Sequence, residues 1–176
     1  MRNELDGGEG LLEAIRKLNV EHILASPGSE WAPIWEALAR QDKENLDGPG
    51  YLDCWHEALA VDMAIGHGLI TGKPQFAVLH AGAGLLQGAM AVHGAQQWEI
   101  PMVIASAESL TYGEGTGPEP GAQWYRSLSI VGGPHRLMEP LVKYANQVTS
   151  IETLYEMAVR AGEMAQRVPR GPVYLN

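Results

Sequence analysis

Cysteine is nearly absent from this 176-residue chain: Cys54 stands alone. One thiol cannot build an internal disulfide framework, and a lone thiol fits a reducing cytoplasm. Cations are sparse, with 12 Lys and Arg against 21 Asp and Glu, a formal charge of −9, and they form no cluster. That balance argues against nucleic acid and anionic membranes as partners. Apolar runs are too short to span a bilayer. The polar, acidic start, MRNELDGGEG, does not read as a signal peptide. Internal repeats, low-complexity tracts and metal-ligand spacings of His, Cys, Asp and Glu are all missing. What is present is a 45% hydrophobic, 19% charged composition. That is globular, and the length predicts one domain, 1–176, with a sizeable core.

Helical and strand patterns alternate along the chain. GLLEAIRKLNV spaces Leu11, Leu12, Ile15 and Leu18 as a helix does, and EHILAS is a short strand stopped by Pro27-Gly28. SEWAPIWEALARQ reads as a helix with Ser29 as its N-cap. GYLDCW is a strand, and HEALAVDMAIGHGLIT a helix with a stripe of Ala58, Val61, Ile65 and Leu69. Gly66 and Gly68 in that helix predict close packing against a neighbour, and TGK a C-cap and turn. PQFAVLH is a buried strand, AGAG a loop, LLQGAMAVHGAQQW a helix rich in small residues, and PMVIASA a strand. ESLTYGEGTGPEPGAQ is a long irregular stretch of the kind that carries function or moves. PLVKYANQV and GPVYLN read as strands around the helix IETLYEMAVRAGEMAQ. The alternation predicts an α/β fold of three layers, a mainly parallel, flavodoxin-like sheet with helices on both faces. Ligands of such sheets sit at the carboxyl ends of the strands. Pro27-Gly28-Ser29, His56-Glu57 and His80 to Gly84 leave strands at that edge.

Glu57 falls in a first helical turn, where a carboxylate ordinarily complements the helix dipole and accepts free N–H groups. Its functional reading is a general acid or proton relay in an apolar neighbourhood supplied by Trp55, Ala58 and Leu59. His80 ends an apolar strand. A core histidine is the ordinary reading there, and its place before a glycine loop favours acid–base chemistry. His22, His56, His67, His93 and His135 read as structural. AGAGLLQG lacks the Lys-Ser/Thr of a phosphate loop and the later ribose-binding acid of a dinucleotide fingerprint. Bare backbone brought close to a planar ligand is its more specific use. Cys54 reads as a small buried hydrophobe. Glu114 and Glu119 read as a solvated loop, and the tryptophans as core and interface anchors.

In this order the stretches resemble the N-terminal, pyrimidine-binding domain of thiamine-diphosphate enzymes, in the 2-keto-acid decarboxylase and acetolactate-synthase group. ASPGSEWAPIWEAL, HEALAVDMAIGHGLITGKP, LHAGAGLLQGAMAVHGAQQWEIPMVIASAES, PLVKYANQV and RGPVYLN carry the resemblance over roughly Leu11 to Asn176. Each is weak alone; the series is specific. PGS and VLHAGAG are most similar to the benzoylformate decarboxylases. The chain departs from the family at Leu85 and Leu86, and in ASAESLTYGEGTGPEPG.

The resemblance implies that Glu57 hydrogen-bonds N1′ of the cofactor's aminopyrimidine. That bond favours the imino tautomer that removes the thiazolium C2 proton. It implies that His80 relays protons and contacts substrate, and that Ser29 meets the substrate carboxylate. Pro27, Gly28, Gly82, Gly84 and Gln87 would contact the cofactor. Thiamine diphosphate is the implied cofactor, with Mg²⁺ held by a diphosphate-binding domain whose Gly-Asp-Gly motif this chain lacks. The chain then reads as a subunit of a split enzyme or a piece of a longer one, inactive alone and assembled as a dimer or tetramer. A small 2-keto acid is the implied substrate. The readings that compete are an acetolactate-synthase-like carboligase, a non-catalytic assembly subunit, and a flavodoxin-like module for another small ligand.

Overall fold

A computed structural model describes residues 6–108, 130 and 132–176. Helix α1 (Gly7–Lys17) opens at Asp6, whose side chain accepts from Glu9 N–H, and buries Leu11, Leu12 and Ile15 on one stripe. Strand β1 (His22–Ser26) leads through a 3-10 turn, Ser29–Trp31, into α2 (Ala32–Glu44). Next come β2 (Gly50–Asp53), α3 (Glu57–Thr71) and β3 (Gln75–Leu79). α4 (Ala83–Gln97) and β4 (Met102–Ser106) follow. The remainder holds α5 (Pro134–Met138), a 3-10 turn at Glu139–Leu141, β5 (Tyr144–Asn146), α6 (Ile151–Gln166) and β6 (Pro172–Leu175).

The strands form one six-stranded sheet in the order β2-β1-β3-β4-β6-β5. Every neighbouring pair is parallel, as the alternating pattern predicts. Side chains along each strand alternate between two cores. Ile23, Phe76, Val78, Val103 and Val173 pack with α1, α2 and α6. Leu24, Ala77, Leu79, Ile104 and Tyr174 pack with α3 and α4. β3 and β4 are buried at every position, which is why they read as unbroken apolar runs. The edge strands β2 and β5 are only partly covered.

Local readings differ from the structure in several places. The buried face of α3 is Ala60, Val61, Ala64 and Gly68; of the expected stripe Val61 is buried, Ala58 and Ile65 pack partly buried against the same core, and Leu69 is 52% exposed. Small residues win that face because the helix lies close to its neighbours: a Cβ at Gly68 would stand 2.7 Å from Ile100 Cγ2, whereas one at Gly66 would meet nothing within 4 Å. The AGAG loop is shorter than expected, since Ala83 and Gly84 already belong to α4. Short helix α5 has no counterpart in the sequence reading. Among the tryptophans, Trp31 is buried, while Trp55 and Trp98 lie on the surface. Glu114 and Glu119, with most of the long irregular stretch, lie outside the described residues. No helix among the described residues is long and apolar enough to cross a membrane.

From β1 the chain turns into α2 on one face, and from β3 into α4 on the other. The two loops diverge between adjacent strands, and such a switch point opens a crevice at the carboxyl edge of a parallel sheet.

Candidate functional site

Parallel register brings Ser26 beside Leu79, and His80 N–H bonds Ser26 O at 3.0 Å. The Pro27-Gly28 turn and His80 therefore leave the sheet side by side. β2 leads to His56 at the same edge. His56 caps α3: its Nδ1 accepts from Ala58 N–H at 3.1 Å. With Nδ1 as acceptor, Nε2 carries the ring proton and donates to Gln87 Oε1 at 3.0 Å.

Glu57 is thereby released from the capping role that its position suggested. Its residue is 8% exposed, yet among the described residues its carboxylate has no hydrogen-bond or ion-pair partner. Buried polar groups ordinarily find partners. The carboxylate lies against Gly84, where an added Cβ would stand 2.6 Å from Glu57 Oε1 and 2.6 Å from His80 Cβ. Glu57 and His80 thus flank one glycine, and only a residue without a side chain fits between them. Gly88, one turn on, lies under Leu79 and near Glu57 Cβ. Trp55 does not supply the expected apolar wall: it is 99% exposed, and Leu59 is 44% exposed. Gly84 and Gly88 of α4 lie against Glu57 instead.

His80 is held from below. Its Nδ1 stands 2.8 Å from Glu30 Oε1, which also accepts from Ala81 N–H at 2.9 Å. The Glu30 side chain is 4% exposed and that of His80 27%. Gly28 is the spacer, since a Cβ there would fall 2.0 Å from His80 Nδ1. Trp31 Nε1–H closes the turn on Leu79 O at 2.9 Å. Glu30 was not singled out in the sequence. A carboxylate after PGS in a helix-opening turn looks like any first-turn acid; its pairing with a residue fifty positions on is tertiary.

The other candidates divide. Gly82 precedes α4 with φ 54°, a left-handed conformation natural to glycine. Pro27 is half-buried. Ser29 is exposed and makes no cap hydrogen bond, because it begins the 3-10 turn and α2 starts later. Gln87 is exposed and tied to His56. Leu85 is wholly buried in the α3–α4 core and Leu86 is 54% exposed. His22 and His67 meet edge-on at the opposite end of the sheet, with His67 Nε2 3.1 Å from Glu21 Oε2. Cys54 is buried, and burial pushes its thiol up from the ordinary cysteine range.

A cleft of about 900 Å³ opens at the same carboxyl edge toward α1, α2 and α6, lined by Glu30, Trp31, Ser106, Glu108, Ile151 and Asn176. Burial pushes the Glu108 carboxyl up. Ser106 Oγ and the Tyr174 hydroxyl are 2.6 Å apart, and burial pushes the Tyr174 phenol up. Neither Glu57 nor His80 lines this cleft. No group of three His, Cys, Asp or Glu able to hold a metal ion occurs among the described residues.

Residues 5–126 match the family model of the thiamine pyrophosphate enzyme, N-terminal TPP binding domain. Benzoylformate decarboxylase of Pseudomonas aeruginosa is 27% identical over 164 residues, 93% of this chain and 28% of that protein. The mitochondrial acetolactate synthase catalytic subunit of Saccharomyces cerevisiae is 27% identical over 172 residues, 98% of this chain and 23% of that protein. Among solved structures, the thiamine diphosphate-dependent 4-hydroxybenzoylformate decarboxylase of Rhodococcus jostii RHA1 superposes with a TM-score of 0.76 at 22% identity. That match covers 97% of this chain and 29% of the other. The chain spans about a quarter of the length of these curated relatives.

Proposed function

We propose a function from one premise: this chain belongs to the thiamine pyrophosphate enzyme family, as a form of its N-terminal TPP binding domain. It is a pyrimidine-binding domain of the kind found in decarboxylases and acetolactate synthases. Its proposed task is to supply that half of the site in a 2-keto-acid decarboxylase or carboligase, with Glu57 as the group that activates the cofactor. The observation that carries the reading is Glu57, a residue only 8% exposed, whose carboxylate lies against Gly84 and has no partner among the described residues.

The donor chemistry fits an aminopyrimidine. A buried carboxyl matches a ring nitrogen with which it can share a proton, and Gly84 leaves the space beside it that a Cβ would fill. When bound, thiamine diphosphate supplies a carbon nucleophile and an electron sink for the keto acid. Glu57 holds the proton at N1′. His80, through its outward ring nitrogen, gives and takes protons as the substrate's charge changes. The exposed Ser29 hydroxyl donates to the substrate carboxylate. Gly28, Gly82 and Gly84, with Pro27, shape the backbone around the pyrimidine, and Gln87 orients His56 beside it.

Mg²⁺ and the diphosphate fall to the remainder of the enzyme, because hard oxygen ligands and phosphate donors form a separate motif. The chain's exposed apolar side chains Leu59, Met63, Ile70, Leu86, Met90 and Trp98 on and beside α3 and α4 support assembly with further copies or domains. The test joins this chain to its diphosphate-binding partner and compares wild type with Glu57→Gln, a nearly isosteric change. C2 hydrogen–deuterium exchange of bound cofactor and keto-acid turnover should both fall by about a hundredfold or more. Unchanged exchange would remove Glu57 from the chemistry.

A further inference from the structure

We propose that Glu30 is the positioning residue that decides which nitrogen of His80 exchanges protons. The inference deepens the function proposed above and rests on His80 acting there as acid and base. Glu30 Oε1 lies at hydrogen-bond distance from two nitrogens, Ala81 N–H at 2.9 Å and His80 Nδ1 at 2.8 Å. The amide can only donate, so that oxygen is an acceptor, and its accepting from the ring as well places the proton on Nδ1. His80 Nε2 has no partner among the described residues, on a ring 27% exposed. Nδ1–H is thus spent inside, and Nε2 is left as the open base. A buried carboxylate serves imidazole bases elsewhere in this way, holding tautomer and orientation without reacting.

A purely structural role accounts poorly for this acid. The second oxygen, Glu30 Oε2, is buried with no hydrogen-bond partner among the described residues, and a buried unsatisfied polar atom costs stability. The turn also keeps Gly28, where a Cβ would collide with both members of the pair, 2.0 Å from His80 Nδ1 and 2.3 Å from Glu30 Oε2. Backbone, spacer and carboxylate agree on one ring position.

Long-range ¹H–¹⁵N correlation spectra of the 176-residue chain, taken near pH 8.5 where imidazoles are mostly neutral (ordinary pKa about 6.5), read the tautomer directly. Wild type should show His80 with a protonated Nδ1 and a bare Nε2. Glu30→Gln should keep that pattern, and Glu30→Ala should lose it to a mixture or to the Nε2–H form. A bare Nδ1 in wild type, or an unchanged pattern in Glu30→Ala, overturns the inference. If Glu30→Ala does not fold, the wild-type spectrum alone decides. In the reconstituted enzyme, Glu30→Ala should lower keto-acid turnover by roughly tenfold to a hundredfold, no more than the loss of a general acid–base group itself, with Glu30→Gln partly rescued. If His80→Ala slows turnover and Glu30→Ala does not, the positioning role is wrong. If neither slows it while the tautomer behaves as expected, the acid–base role of His80 fails and the geometric claim stands.

Discussion

Gly84→Ala places one methyl group between the two side chains on which the functional reading turns. The new Cβ would stand 2.6 Å from Glu57 Oε1, 2.6 Å from His80 Cβ and 3.2 Å from Glu57 Cδ. Favourable carbon contacts lie at about 3.5–4.0 Å, so both neighbours must yield by nearly an ångström. His80 Cβ has little freedom, because His80 N–H is bonded to Ser26 O and His80 O to Leu85 N–H. Glu57 Oε1 is the far end of a side chain without a partner among the described residues and will move first. Overpacking of this kind costs about 1–3 kcal/mol. Against it stands the helix preference of alanine over glycine, at most about 1 kcal/mol and less in a first turn. The net expectation is a loss of about 1–2 kcal/mol, which lowers the melting temperature by roughly 2–8 °C for a chain this long. Gly94→Ala, in the same helix, is the internal control. Its Cβ meets nothing within 4 Å, so it should stabilise by up to about 1 kcal/mol. Urea unfolding of both variants, followed by circular dichroism, gives the comparison. In a Glu57→Ala background the Gly84 change should cost less, since one of the two collisions is gone. Equal stabilisation by Gly84→Ala and Gly94→Ala would refute the close approach of Glu57, His80 and α4 from which the site is built.

His80→Ala should slow turnover of the reconstituted enzyme by roughly 10²–10⁴ while sparing C2 exchange of bound cofactor; an equal collapse of exchange would assign His80 to cofactor activation or to folding. Titration calorimetry of the isolated chain with Mg²⁺ and thiamine diphosphate should show weak binding at best and no keto-acid turnover, and light scattering should show self-association. Tight, Mg²⁺-dependent binding by the chain alone would mean that it holds a complete site. Cys54 should react slowly with a thiol reagent near pH 8 in the native chain and quickly in urea. Its raised thiol pKa and its burial both deplete accessible thiolate, so rapid native labelling would contradict its burial.

The layered parallel sheet was legible in the sequence because its causes are local. Apolar runs such as PQFAVLH and PMVIASA, buried on both faces, are bounded by glycine and proline and alternate with helical spacing. The carboxyl edge from which the Pro27-Gly28, His56 and His80 segments leave was legible too, since chain direction alone fixes the carboxyl end of a parallel strand. α3 shows where that legibility ends. Its sequence is apolar on most sides, so periodicity could not tell the face of Ala60, Ala64 and Gly68 that meets the protein from the face of Leu59, Met63 and Ile70 that meets solvent. The roles around the site were decided later still, by contacts between distant segments. His56 took the cap that Glu57 was expected to form, which left Glu57, 8% exposed, without a partner among the described residues. Glu30, indistinguishable in sequence from an ordinary first-turn acid, became the anchor of His80 only when β1 and β3 paired in register and brought the two within 2.8 Å. The sequence by itself determined the elements, their alternation and the edge that carries the loops, because hydrophobic period and turn chemistry act over a few residues. Which side chain caps α3, which carboxylate holds a histidine and which has no partner among the described residues belonged to the tertiary structure, because hydrogen-bond partners are allotted by proximity in space.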